Sequence, residues 1–141
     1  MKIENTIESP KKFDVEELLE FLAKELEIDE DVKLMIVYND NLLDRLSKGD
    51  VEYEAFLQQS LNHTYVLHVR EDVSGLQYIL CHEMIHLHQY ERGDLKMSAD
   101  YKTITWKGDV YDNTYSYNNR EWEKEAFKLQ NKLWKAFKKS K

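Results

Sequence analysis

The chain has 141 residues, with 20 Lys and Arg against 27 Asp and Glu, a net charge of −7 near neutral pH. That balance argues against a general grip on nucleic acid, which needs a basic face, and no apolar run of about 18 residues is present to span a membrane. The one cysteine, Cys81, excludes an internal disulfide and suits a reducing compartment. The stretch MKIENTIESPKKF lacks the apolar run of a secretory signal, so the expected setting is cytoplasmic. The length suits a single domain over residues 1–141.

In chain order, Val15, Leu18, Leu19, Leu22 and Leu26 recur at helical spacing, which predicts a helix from Ser9 or Asp14 to Glu27. Asp14 followed by Glu17 reads as a capping box, and Ser9-Pro10 offers an earlier start. VKLMIVY at 32–38 is short, apolar and rich in β-branched residues, as a strand should be. NDNLLDRLSKGD is expected to form a loop or short helix. From Val51, apolar and polar residues alternate, and HTYVLHVR at 63–70 alternates again, so 51–70 reads as a β-hairpin. A helix follows from Gly75 to about Tyr90, with Ser74 as N-cap and Gly93 as its stop. Residues 94–118 are expected to hold one or two short strands and irregular loops. Asn119 to Lys139 reads as a long helix with Trp122, Ala126, Leu129, Leu133 and Phe137 on one face. The order predicts an α+β domain with a short mixed sheet.

The chemistry concentrates in YILCHEMIHLHQY at 78–90. His82, Glu83 and His86 spell H-E-x-x-H. Two histidines four apart on a helix share a face, and both imidazoles can reach one zinc at about 2.0–2.1 Å. Glu83 is offset by about 100° around the helix, where it can take a proton from zinc-activated water. This is the pattern of a zinc-dependent hydrolase. His88 falls roughly 240° from His82 and leaves the metal face. His63 and His68 read as strand-surface residues, and Cys81 as core.

A catalytic zinc normally has three protein ligands and one open position. A third histidine at the extended spacing is absent, since position 89 is Gln89 and position 92 is Arg92. A carboxylate from the last helix is the alternative. Glu123 borders the buried stripe, with Ala126 at i+3 and Phe127 at i+4, whereas Glu121 and Glu125 are expected on the lysine-rich face with Lys128 and Lys132. A glutamate facing a core costs several kcal/mol unless paired or metal-bound, which makes Glu123 the expected third ligand.

HEMIH followed by WEKEA resembles the small glutamate-zincins, the minigluzincin-type metallopeptidases, with HTYVLHV standing as the strand before the active helix. The resemblance covers roughly residues 63–137 by order of elements. It implies two histidine ligands and a later glutamate, and in the related pattern E-x-x-A-[DN] the ligand glutamate stands three before the alanine. That again is Glu123, three before Ala126. The position expected to be Asp or Asn is Phe127, so the carboxylate behind the histidines is missing there.

Between the two motifs lie Tyr101, Tyr111, Tyr115 and Tyr117, any one of which could donate a hydrogen bond to an oxyanion. The lysines toward the C-terminus complement the helix dipole. The reading is a zinc peptidase binding one Zn2+ through His82, His86 and Glu123, with Glu83 as general base. Its substrate would be a peptide or protein, with strand 63–69 offered as an edge for pairing. The alternative is a zincin-fold regulatory protein that binds zinc without general proteolysis.

Overall fold

The structure, a computed structural model, describes residues 1–47 and 52–141. It opens on a strand the sequence pattern did not announce, β1 (Lys2–Asn5). Only Ile3 is strongly apolar there, so local propensity is weak. The strand exists because it pairs in parallel with β2 (Lys33–Tyr38), Ile3 standing opposite Leu34.

Between them runs α1 (Val15–Glu25), which starts at Asp14; the earlier start at Ser9-Pro10 is not taken, and Ser9 serves instead as an acceptor for the first helical N–H. Asp14 accepts from the Glu17 N–H at 3.0 Å, and Ser9 Oγ accepts from the Val15 N–H at 2.9 Å. After β2 comes the short helix α2 (Asp40–Leu46), capped by Asn39. The hairpin is β3 (Ala55–Leu61) and β4 (Thr64–Val69). Its first strand begins later than the alternation from Val51 suggests; Val51 itself lies outside the described residues. Just before that strand, Arg70 holds the chain with its Nε donating to Tyr53 O at 2.8 Å and its N–H to Glu54 O at 3.1 Å.

The sheet order is β1-β2-β4-β3, with β3 antiparallel and the rest parallel. This corrects one expectation. Strand 64–69 is flanked on both sides and cannot pair with a further chain; the terminal strands are β1 and β3. On one face of this sheet α1 and α3 (Leu76–Glu91) bury Leu18, Leu22, Leu34, Ile36, Tyr65, Leu67, Leu80 and Met84 to within 1 % exposure. Ser74 does not cap α3. Gly75 does, at φ +71°, with no side-chain cap, a conformation that glycine adopts at little cost where the chain turns into the helix.

A second sheet follows: β5 (Leu95–Met97), β6 (Thr103–Trp106) and β7 (Asp109–Asp112), an antiparallel meander. Leu95, Ile104 and Trp106 pack with Trp122, the first buried residue of the last helix α4 (Glu121–Lys139). A single 3-10 turn, Tyr117–Asn119, leads into that helix. The architecture is therefore α+β, with two small sheets and a long C-terminal helix. Among the described residues no helix is long and apolar enough to cross a membrane.

One other expectation changes on the outer face of the first sheet, while His63, at the hairpin turn, is exposed as expected. His68 is 7 % exposed rather than a strand-surface residue. Asn39 Oδ1 accepts from the Leu42 N–H at 3.2 Å, so its amide group must face His68 Nδ1, at 3.1 Å. Nδ1 is thereby the lone-pair nitrogen, and Nε2–H donates to Gln58 Oε1 at 2.9 Å. His63 instead closes the hairpin at φ +62° and pairs with Glu91 at 2.8 Å.

Burial holds the His68 pKa below that of a free imidazole. A histidine with a lowered folded pKa supports the fold above its unfolded value of about 6.5, and that support is lost as the pH falls through and below it. Ring-proton NMR is expected to show His68 titrating below that value in the wild type. In Asn39→Asp, where a carboxylate replaces the amide at Nδ1, its pKa should rise above it. An unchanged titration in the variant would refute the contact between residue 39 and His68 Nδ1.

Candidate metal centre

Helices α3 and α4 run antiparallel, so residue numbers fall along one as they rise along the other: His82 meets Gln130, His86 meets Glu123, and Gln89 meets Trp122. The i, i+4 spacing puts both imidazoles on the α4 side of α3, as predicted. Glu123 reaches them from the first turn of α4 because Trp122 and Ala126, both buried, hold that helix against α3. Three atoms converge. Glu123 Oε1 lies 2.8 Å from His82 Nε2 and 2.9 Å from His86 Nε2, and the two nitrogens are 3.1 Å apart. A tetrahedral ion with bonds of about 2.0–2.1 Å sets its ligand atoms about 3.3 Å apart, so small side-chain adjustments would admit one.

The protons decide what this triangle can hold. His86 Nδ1 faces Gln89 Oε1 at 2.7 Å, and His82 Nδ1 faces Gln130 Oε1 at 2.7 Å. The Gln89 amide cannot be flipped, since its Nε2 donates to Trp122 O at 3.0 Å and to Glu125 Oε1 at 3.1 Å. An amide oxygen only accepts, so His86 Nδ1 carries the hydrogen and its neutral form turns a lone pair at Nε2 toward Glu123. With Gln130 arranged likewise, two lone pairs and a carboxylate oxygen face one another. Such a set is stable only around a positive charge, either shared protons or a cation, and its donor types suit zinc. His82, His86 and Glu123 are thus the residues able to hold a metal ion.

The electrostatics of the bare site agree. Burial would lower His86, but the charge and hydrogen bond of Glu123 outweigh it and bring its pKa to about 9. Burial would raise Glu123, yet the two imidazoles hold it well below the usual carboxylate range. For Glu83 burial prevails over the neighbouring histidines, and its pKa is raised. Glu83 lines the same cleft, of about 800 Å3, as the three candidate ligands.

Of the tyrosines, Tyr117 comes to the centre: its hydroxyl donates to Glu123 Oε1 at 3.0 Å. Tyr101 instead meets β3, its ring against Phe56 and its hydroxyl accepting from Gln58. Tyr111 and Tyr115 pack on each other with their rings tilted by 44°. Phe127, at the Asp/Asn position of the resembled pattern, is 52 % exposed and lays its ring 4.6 Å from that of His82. The histidines are oriented by Gln89 and Gln130 instead. Sequence reasoning missed both roles. The signal available was two glutamines on otherwise buried helix faces, Gln89 being fully buried. Glu125 also departs from expectation: it leaves the lysine-rich face to accept from Gln89 and from Arg92 Nη2, the latter at 2.7 Å. His88 turns away from the centre toward Arg92, as its angle on the helix requires.

No protein-family model matches the chain, and no curated protein or solved structure does. Loss of the supporting hydrogen bond typically weakens metal affinity about 10–100-fold. Gln89→Leu is expected to weaken Zn2+ binding by that factor in competition titrations while its far-UV circular dichroism stays native. Equal affinity in variant and wild type would mean that Gln89 does not orient His86.

Proposed function

We propose that the protein is a zinc-dependent peptidase of the zincin type, acting on peptide or protein substrates. The observation that carries this reading is the convergence of His82 Nε2, His86 Nε2 and Glu123 Oε1, with Glu83 beside them in one cleft. A zinc ion, when bound, supplies Lewis acidity that lowers the pKa of water and polarises a carbonyl. The chain's own groups do the rest. Glu83 takes the proton from the attacking water and returns it to the leaving amine. Its raised pKa suits both halves of that exchange, because a base of ordinary acidity would hold the proton too weakly to pass it on. Tyr117, with its hydroxyl at the edge of the triangle, donates a hydrogen bond to the oxyanion. Ala55, Phe56 and Leu57 line the cleft on β3, a terminal strand of the first sheet, where an extended peptide can add by backbone pairing.

A cytoplasmic setting belongs to the same proposal, resting on the lone, buried Cys81. A regulatory zinc protein would need the ligands but not the base, so Glu83 distinguishes the two readings.

Purified protein is expected to contain one zinc per chain by elemental analysis, and His82→Ala, His86→Ala and Glu123→Ala to lose it. Full zinc in Glu123→Ala would remove that residue from the ligand set. Glu83→Gln should keep its zinc and lose about 10²–10⁴-fold in peptide cleavage. If cleavage by Glu83→Gln matched the wild type, the general-base role would be wrong. Tyr117→Phe should keep zinc and lose about 10²–10³-fold in kcat. A zinc-loaded wild type that cleaves no member of a broad peptide library would favour the regulatory reading.

A further inference from the structure

Arg120, the residue before α4, is the one buried arginine among the described residues, at 9 % exposure. The half-buried Arg70 is neutralised by Asp44 at 2.7 Å, and the exposed Arg92 by Asp94 at 2.6 Å and Glu125 at 2.7 Å. Arg120 has no such partner. Among the described residues no carboxylate oxygen comes within 4.0 Å of it. Its Nε donates to Tyr115 O at 3.1 Å and its Nη2 to Asn113 O at 2.9 Å. The guanidinium also lies 5.6 Å from the Tyr117 ring centroid and 5.8 Å from that of Trp122. These contacts orient the group and offset part of its desolvation, but none carries a full negative charge.

Its Nη1 has no protein acceptor among the described residues, while no buried polar side-chain atom there is left unsatisfied. Nη1 is therefore open to solvent, and Arg120 lines the cleft together with Tyr117, Trp122 and Glu123. The lining also holds the apolar Leu95, Met97 and Ile104 and the carboxylates Glu52, Glu54 and Glu83, so Arg120 is the one arginine in a cleft otherwise charged by glutamates among the described residues. A buried, pre-oriented guanidinium with an open donor edge suits a carboxylate better than any neutral group.

We propose that Arg120 is a specificity-determining residue that binds a substrate carboxylate, so that the cleft prefers peptides carrying a negative charge close to the bond at the metal centre. This rests on the peptidase reading for its meaning as substrate selection, though the binding it predicts does not require turnover. The carboxylate could be an acidic side chain or a free C-terminus, and the two are separable.

Three heptapeptides of one apolar sequence serve as probes: amidated with a central Gln, amidated with a central Glu, and the Gln peptide with a free C-terminus. Dissociation constants are measured by calorimetry on the Glu83→Gln protein, with and without Zn2+. At least one carboxylate peptide is expected to bind about tenfold more tightly than the neutral one, as a charge-assisted hydrogen bond should provide. The Glu peptide winning identifies a side-chain site; the free-acid peptide winning identifies a terminus. Adding Arg120→Gln should abolish the preference with zinc content unchanged. Arg120→Lys, which keeps the charge but not the fork, should retain part of it, and it carries the comparison if Arg120→Gln fails to fold. No preference among the peptides overturns the proposal. So does a preference that persists in the Arg120 variants, since the carboxylate would then be held by the metal or elsewhere. Absence of zinc or of cleavage in the wild type counts against the peptidase reading alone, because the metal-free series still reports on Arg120.

Discussion

One carboxylate oxygen, Glu123 Oε1, receives two imidazole nitrogens and a tyrosine hydroxyl within 3.0 Å. A buried carboxylate without such partners costs several kcal/mol, so the arrangement must be held by something stronger than side-chain preference. What holds it is the antiparallel packing of α3 on α4. Trp122 and Ala126 lock the first turn of α4 against α3, and the Gln89 amide, inserted between the helices, ties its own oxygen to His86 and its nitrogen to α4. A shift of one helix by a single residue, about 1.5 Å, would separate Gln89 from Trp122 O and Glu123 from both histidines at once. Helix packing and site geometry are one constraint here.

The cleft follows from the same constraint. With α3 packed between the first sheet and α4, the cleft over the histidines is lined by β3, the second sheet, the start of α3 and one side of α4. One wall is thus a terminal strand with free backbone groups, and another is the apolar side of the meander. Tyr101 reaches across from the second sheet to Phe56 and Gln58, bracing the wall at one end. Its φ of +60° is unusual for a tyrosine. The backbone takes that conformation while the side chain holds β3.

Legibility in the sequence tracked how local each signal was. The capping of α1 by Asp14, the two-histidine face of α3 and the inward set of Glu123 rest on contacts within a few residues or on helical periodicity, and all could be read. β1 could not, because its four residues gain their stability from parallel pairing across the intervening helix α1. The interior position of β4 was equally hidden, since alternation shows that a strand exists and not which neighbours flank it. His68 looked like a surface residue by alternation, and Asn39 and Gln58 bury it from distant parts of the chain. Gln89 and Glu125 were missed for a related reason: each is polar on a helix, and polarity usually means solvent. A buried glutamine becomes informative only when the partners for its oxygen and its nitrogen are known.

Phe127 makes the last point about the centre. In the resembled pattern a carboxylate at that position would stand behind a histidine, adding negative charge and raising the basicity of the imidazole. Here the ring of Phe127 packs on His82 instead, and both Nδ1 hydrogens go to amide oxygens. An amide fixes the tautomer and the ring as firmly as a carboxylate does but brings no net charge. Behind the histidines there is then no carboxylate, and their imidazoles would be weaker donors to an ion than carboxylate-supported ones. An ion held there keeps more of its charge than one surrounded by carboxylate-supported histidines. The half-exposed Phe127 ring, set against Tyr117 at 6.3 Å between centroids, also covers one side of the site with apolar surface. Lower dielectric on that side strengthens the remaining electrostatic contacts. The substitution therefore leaves the histidines oriented while shifting the balance of charge and polarity around them.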